Sequence, residues 1–143
     1  MEKNQEVVGL DQEIVGLDSE VGDSHYRSWI DWPESYDFAS TLMFNLLTSL
    51  GLRQHHYLLD IGCGSLRGGR LFIPYLLPER YHGVEPKKWV LEEGIKHEVG
   101  RDLINIKSPR FSHDDSFDLT VFNQKFDFVL CSLVLGHLPT SSL

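Results

Sequence analysis

The longest regular pattern of apolar and polar positions lies in the first half of the chain, between Pro33 and Gly51. Apolar residues recur there at every fourth position, and two more widen the apolar stripe: Phe38, Leu42, Leu46 and Leu50, with Met43 and Leu47. A spacing of four residues keeps side chains on one face of an α-helix. The pattern predicts a helix over residues 34–50, which Gly51 ends because glycine readily adopts the left-handed conformation of a helix C-cap.

Beyond Gly51, short apolar runs alternate with segments of helical periodicity. The runs predict strands over residues 57–61, 81–84, 109–113 and 126–134, and the segments between them predict helices over residues 65–77 and 87–99. Strands that alternate with helices pair in parallel and are buried on both faces. The pattern therefore predicts an α/β fold with a parallel sheet and helices on its faces.

The residues before His25 have a different composition. Residues 1–23 hold seven acids and one base, and so carry -6 of the formal net charge of -8. A seven-residue repeat occurs among them, EVVGLDQ followed by EIVGLDS, but two copies are too few for a coiled coil and their glycines weaken a helix. We divide the chain into an acidic, disordered segment, residues 1–24, and a folded part, residues 25–143. A docking peptide is the alternative interpretation of the repeat. The folded part opens on an aromatic stretch, residues 25–33, whose rings need a surface to bury against.

Composition also excludes several classes of function. The folded part holds fourteen acids and twelve bases without a basic stripe, so we expect no general nucleic-acid-binding surface. Cys63 and Cys131 are the only cysteines and no Cys/His cluster has zinc spacing, so we expect neither a disulfide framework nor a metal site. No apolar run reaches membrane-spanning length and the acidic start does not resemble a signal peptide. We therefore expect a cytoplasmic protein without a membrane partner.

Candidate chemistry is concentrated where the first predicted strand ends. Residues 58–65 read LLDIGCGS, so a strand enters a tight glycine turn that a helix follows. Ligands bind at this edge of open parallel sheets. Gly62 and Gly64 let a ligand approach the backbone because neither carries a β-carbon.

Asp60 distinguishes two classes of cofactor that use such a turn. A dinucleotide places an anionic pyrophosphate there, which a neighbouring carboxylate repels in a partly desolvated site. S-adenosylmethionine presents an ammonium group, which a carboxylate attracts. The dinucleotide fingerprint also requires glycine where this chain has Arg67. Asp60 therefore favours S-adenosylmethionine and disfavours a nicotinamide-dependent enzyme.

Glu85 ends the second predicted strand, twenty-one residues after Gly64. At this distance an acid meets the ribose hydroxyls of a bound nucleoside. Taken alone, an acid at a strand end is a solvated loop residue. Together with the glycine turn that follows Asp60, this spacing favours a role for Glu85 in binding a ribose.

In combination, these motifs resemble the class I (Rossmann-like) S-adenosylmethionine-dependent methyltransferases. LDIGCG, residues 59–64, is similar to their first motif, GVE, residues 83–85, to their second, and FDFVLCSLV, residues 126–134, to their fourth strand. The resemblance implies S-adenosyl-L-methionine as cofactor and a three-layer sandwich around a seven-strand, mostly parallel sheet. The four predicted strands would have the order 3-2-1-4, and the chain is expected to be a C-terminally truncated, incomplete version of that fold.

The resemblance also implies roles for residues of the first two motifs. Asp60 should bind the amino group of the cofactor and Glu85 its ribose. Gly62, Cys63 and Gly64 should form the turn against which the cofactor lies.

Other positions follow from the resemblance less directly. The family often has an acid near the end of the third strand that accepts from the adenine amino group; Asp115 fits that spacing best, Asp114 is a close rival, and a plain loop acid is the alternative for either. Ser132 is expected to touch the cofactor. One departure is Leu66, which stands where the family usually has a third glycine.

Catalytic residues are harder to assign, because a sulfonium methyl is already activated and the enzyme mainly orients the reactants and excludes water. His137 is a candidate general base, although a histidine satisfied at a helix start is the interpretation we prefer. The predicted function is methyl transfer to an unidentified acceptor, either a small molecule or a macromolecule. The alternative is a catalytically inactive cofactor-binding or interaction module left by truncation. An unpaired edge on the fourth strand would also favour self-association.

Overall fold

The computed structural model describes residues 16–29 and 32–132. Its α-helices and strands are α1 (Tyr36–Ser49), β1 (Leu58–Ile61), α2 (Gly69–Tyr75), β2 (Tyr81–Val84), α3 (Lys88–Gly94), α4 (Arg101–Lys107), β3 (Arg110–Ser112) and β4 (Phe128–Cys131). Short 3-10 helices span Pro33–Ser35 and Leu119–Phe122, and a π-helical turn, Ile95–Val99, follows α3. Most of the N-terminal repeat, the end of the fourth predicted strand and His137 lie outside the described residues.

The four strands form one parallel sheet in the order β3-β2-β1-β4. Strand β1 is interior, so that Asp60 pairs with Gly83 on one side and with Leu130 on the other. The predicted α/β Rossmann-like fold class, with strand order 3-2-1-4, is therefore confirmed. Because all strands point the same way, their carboxyl ends share one edge of the sheet, which is the edge where the candidate site was expected.

The two faces of the sheet are covered differently in the described part of the chain. Leu58 and Tyr81 face a core to which all four α-helices contribute, with members such as Leu47, Phe72, Ile73, Leu91 and Leu103. Leu59 and Val84 face the other way, into a small cluster built on Phe122 of the second 3-10 helix. The alternation of side chains along each strand produces this division. Asp60 lies on the face that the helices cover.

Helix α1 occurs where it was predicted, but it presents a different face to the core. Phe38, Leu42, Leu46 and Leu50, four of the six residues of the predicted stripe, are all more than half exposed. The other two, Leu47 and Met43, do meet the core, where Leu47 is buried together with Tyr36 and Ser40. Polar contacts explain the rotation, because the Tyr36 hydroxyl bonds the carbonyl and hydroxyl of Ser65 and the Ser40 hydroxyl accepts from Arg70.

The other helices differ from prediction at their boundaries. Helix α2 begins at Gly69 and not at residue 65, because the turn continues through Leu66, whose φ of 62° is left-handed. Helix α4 was not predicted. Gly100, with a φ of 89°, redirects the chain into a new helix that packs Leu103 and Ile104 on the core.

Candidate functional site

A cleft that is partly open to solvent lies at the carboxyl edge of the sheet. The glycine turn forms its floor. Its lining residues include Asp60, Gly62, Cys63, Gly64, Ser65, Arg67 and Ser132 from the sheet edge, and Tyr26, Arg27, Trp29 and Tyr36 from the N-terminal part of the chain. Several residues that the sequence singled out are therefore brought together, and aromatic residues from the N-terminal stretch lie beside them.

The glycine turn is held against the neighbouring strand by backbone hydrogen bonds. The amides of Gly62 and Cys63 both donate to the carbonyl of Val84, over 2.8 and 3.0 Å. Gly62 and Gly64 have φ values of 72° and 54°, in the left-handed region that favours glycine. A Cβ added at Gly64 would meet nothing within 4 Å, so the space beside the turn is open. The turn thus exposes backbone to the cleft without a side chain in between.

Asp60 is the one acid among the described residues that line the cleft, and only 3% of its surface is exposed. Its Oδ2 accepts a hydrogen bond of 2.6 Å from the Tyr81 hydroxyl. Burial raises the pKa of Asp60 to about 6, although Tyr81 and Arg67 oppose the rise. At neutral pH the carboxylate is therefore mostly ionised and poorly solvated, which favours a cationic partner.

Glu85 is also buried, but its carboxylate faces the backbone around it. Oε2 accepts from the amide of Gly64 over 3.0 Å, and Oε1 accepts from the amide of Lys87 over 2.8 Å. Glu85 is not one of the residues that line the cleft. It connects the end of β2 to the glycine turn, and it keeps lone pairs for further donors because a carboxylate has about four acceptor positions.

The acids that follow β3 stand apart from the cleft. Asp115 is exposed, and neither it nor Asp114 lines the cleft. Asp114 accepts from the amide and hydroxyl of Ser116 and from the amide of Asp118, which lowers its pKa and shapes the loop. The structure therefore does not bring Asp115 or Asp114, one of which was expected to accept from the adenine amino group, to the residues that line the cleft.

The two cysteines have different environments. Cys63 is buried in the turn, and burial raises the pKa of its thiol well above the usual value, so the thiol is not activated. Cys131 is exposed because β4 is the outer strand of the described sheet. Within the described ranges, no group of His, Cys, Asp and Glu residues could hold a metal ion. No helix there is long and apolar enough to cross a membrane.

Residues 25–29, which precede α1 in the chain and which we call the aromatic strap, close one side of the cleft. Tyr26, Arg27 and Trp29 line the cleft from this strap. Glu98, in the π-helical turn, holds it: Oε1 accepts from the Tyr26 hydroxyl over 2.7 Å and pairs with Arg27 Nη2 over 2.6 Å. The stretch of aromatic residues was the sequence signal for this surface, but nothing in the sequence indicated its partner, Glu98.

Arg70 of α2 extends the ionic contacts of the strap to α1. Its Nη2 lies 2.6 Å from Oδ1 of Asp37, and its Nη1 lies 3.5 Å from Oε2 of Glu98. Arg27 also lies 3.6 Å from Asp37. Two cations and two anions thus join the strap, α1, α2 and the π-helical turn around one side of the cleft.

Gly94 fixes the distance between α3 and the glycine turn, because a Cβ there would overlap the carbonyl of Ser65. We expect Gly94→Ala to lower the free energy of unfolding by about 1–2 kcal/mol, since backbone would have to shift. Denaturant unfolding checks this. Gly68→Ala is the matched control, because its Cβ would approach only the Phe72 ring, at 3.3 Å, and the Met43 methyl, at 3.6 Å. Equal stability of the two variants would contradict the tight packing at Gly94.

Comparisons with known proteins address the fold. No protein-family model matches the sequence, and no curated protein matches it. Among solved structures, magnesium protoporphyrin IX methyltransferase (ChlM) from Synechocystis PCC 6803 with bound SAM has a TM-score of 0.61 and 21% identity, over 77% of this chain and 50% of that chain. The same enzyme with bound SAH has a TM-score of 0.62 and 20% identity, over 94% and 57%. This chain thus spans little more than half the length of the solved structures that it resembles. At this level of identity the likeness concerns architecture, and it shows that the chain has the Rossmann-like α/β fold seen in these methyltransferase structures.

Proposed function

We propose that this chain carries the S-adenosylmethionine-binding part of a methyltransferase that acts on an unidentified acceptor. The observation that supports this most is the buried Asp60 carboxylate beside a glycine turn whose backbone is open to the cleft. A ligand with an ammonium group satisfies that carboxylate, and a pyrophosphate does not. The likeness of fold to an enzyme solved with SAM and SAH agrees with this choice.

The residues around the cleft fit such a ligand in several ways. Asp60 would hold the amino group, and Gly62 and Gly64 would let the methionine part lie against the backbone. Glu85 would offer its remaining lone pairs to the ribose hydroxyls while its bond to the Gly64 amide keeps the turn in place. Ser132, at the end of β4, would contact the cofactor from the other side of the turn.

When bound, S-adenosylmethionine supplies a methyl group that is already activated on a sulfonium. The protein then has to orient the acceptor and exclude water, and the aromatic strap offers the apolar surface for this. Trp29 packs edge-on against Trp89, with ring centroids 5.2 Å apart, so the strap also contacts α3.

Calorimetric titration of the full chain with S-adenosylhomocysteine tests the proposal. We expect saturable binding with one site, and no binding of NAD at the same concentration. Binding of NAD alone would overturn the proposal, because Asp60 then does not select the charge of the ligand. Binding of S-adenosylhomocysteine without methyl transfer to any tested acceptor would favour the inactive cofactor-binding module over the enzyme.

A further inference from the structure

Tyr81, which belongs to none of the motifs singled out above, is the hydrogen-bond partner of the Asp60 side chain. Its hydroxyl donates to Oδ2 of Asp60 over 2.6 Å, and the tyrosine is 2% exposed. The register of the sheet explains how they meet. Tyr81 pairs with Leu58, which lies two residues before Asp60 and on the same face of β1. The tyrosine side chain is long enough to span this offset of two residues along the strand, so its hydroxyl reaches the Asp60 carboxylate.

The packing around Tyr81 fixes the hydroxyl in this position. A Cβ added at Gly69 would lie 2.9 Å from the hydroxyl oxygen, so the first residue of α2 leaves the space that the hydroxyl needs. The ring of Phe111 packs edge-on against the tyrosine ring, with centroids 6.2 Å apart. The donor is therefore pre-positioned by its neighbours, and it holds one oxygen of the carboxylate.

We propose that Tyr81 is a positioning residue for Asp60: it binds one carboxylate oxygen, leaves the other for the ammonium group of the ligand, and keeps the carboxylate ionised. This inference rests on the proposed function, because only a cationic ligand needs an ionised Asp60. Tyr81 does not line the cleft, so it acts through Asp60 and not on the ligand.

The charges around Asp60 show why the hydroxyl matters for ionisation. Burial raises the pKa of Asp60, and the negative charge of Glu85 at the end of β2 adds to the rise. The Tyr81 bond is the larger of two opposing effects, and the positive charge of Arg67 on the turn is the other. The thiols of Cys63, in the turn, and Cys131, at the end of β4, interact electrostatically with Asp60, and both are neutral because their pKa values are raised. Removal of the hydroxyl therefore leaves burial and Glu85 opposed by Arg67 alone.

The test compares Tyr81→Phe with the wild type and with Tyr75→Phe, a matched variant whose lost hydroxyl bonds the Leu52 carbonyl outside the cleft. The dissociation constant of S-adenosylhomocysteine is measured by calorimetry between pH 5.5 and pH 7.5. For Tyr81→Phe we expect the midpoint of the pH profile to rise by about one unit, because a hydrogen bond to an ionised group is lost. Binding should then be about fivefold weaker than in the wild type at pH 6, and within about a factor of two at pH 7.5. Tyr75→Phe should follow the wild-type profile.

A profile of Tyr81→Phe that coincides with the wild type overturns the inference, and so does a loss of affinity that is equal at every pH, which indicates a merely structural role. If Tyr81→Phe does not fold, 3-fluorotyrosine incorporated at position 81 decides, because the more acidic phenol is a better donor and should lower the midpoint. An unchanged midpoint in that protein overturns the inference. If the wild type and Tyr75→Phe bind no S-adenosylhomocysteine at any pH, the proposed function fails first and the inference fails with it.

Discussion

Asp60→Asn is expected to weaken the binding of S-adenosylhomocysteine by about 30- to 150-fold at pH 7.5. The amide keeps the shape of the side chain but removes the charge that attracts the ammonium group. A hydrogen bond to a charged partner contributes about 2–3 kcal/mol when it is buried, which corresponds to this loss of affinity. Asp60 is almost completely buried, so little solvent is present to compensate. Calorimetric titration of both proteins at pH 7.5 gives the ratio of dissociation constants.

Asp60→Asn should weaken binding, but its stability relative to the wild type should increase as the pH rises. Loss of binding can therefore be distinguished from loss of folding. Because burial raises the pKa of Asp60 to about 6 in the folded protein, the folded state binds the proton more tightly than the unfolded chain. The wild type therefore loses stability as the pH rises through about 4 to 7, whereas the neutral asparagine contributes no such change. Relative to Asp60→Asn, the free energy of unfolding of the wild type should fall by about 2–3 kcal/mol over this range. Denaturant unfolding at pH 4.5 and pH 7.5 measures the difference.

Asp102→Asn provides the control, since Asp102 is an exposed acid of α4 outside the cleft. It should leave the affinity within error of the wild type. If Asp60→Asn bound S-adenosylhomocysteine as tightly as Asp102→Asn, then Asp60 would not receive the ammonium group, and the electrostatic basis of the proposed function would be lost.

Local signals were sufficient to predict the sheet. Strands β1 and β4 are short apolar runs, so their positions followed from the sequence pattern, and the parallel order of the four strands followed from the resemblance to a known fold. The glycine turn was also predicted, because consecutive residues form it. For the same reason Asp60 was placed correctly at the carboxyl edge of the sheet, where it lines the cleft.

Contacts between distant residues were not predictable in this way. The rotation of α1 depends on hydrogen bonds from Tyr36 to Ser65 and from Arg70 to Ser40, and both cross about thirty positions of sequence. The apolar periodicity of α1 favoured a neighbouring face that shares only Met43 and Leu47 with the buried one, since a single sequence does not show which side of an apolar stripe has polar anchors. The hydrogen bond from Tyr81 to Asp60 was not predicted, because tyrosine in a strand is ordinarily a packing residue.

The contacts between the strap and Glu98 are a second example of distant contacts that the sequence pattern did not predict. Glu98 lies seventy-one residues after Arg27, and its side chain is only 4% exposed although it carries a charge. Burial of that charge is tolerable because three donors from Tyr26 and Arg27 meet one of its oxygens. The strap and the π-helical turn therefore depend on each other, which leads to the second large prediction.

Glu98→Gln is expected to lower the free energy of unfolding by about 2–3 kcal/mol, because it leaves Arg27 buried with only the more distant Asp37 as a counter-charge. Hydrogen exchange should locate the effect. The amide of Gly22, which donates to the Ser28 carbonyl over 2.8 Å, should lose protection before the amides of β1 and β2 do. The matched control is Glu92→Gln, whose carboxylate forms an exposed pair with Arg101 at 3.4 Å and should contribute less than about 0.5 kcal/mol. If both glutamate variants lost the same stability, Glu98 would be an ordinary surface acid, and the strap would have to be held over the cleft by its aromatic contacts alone.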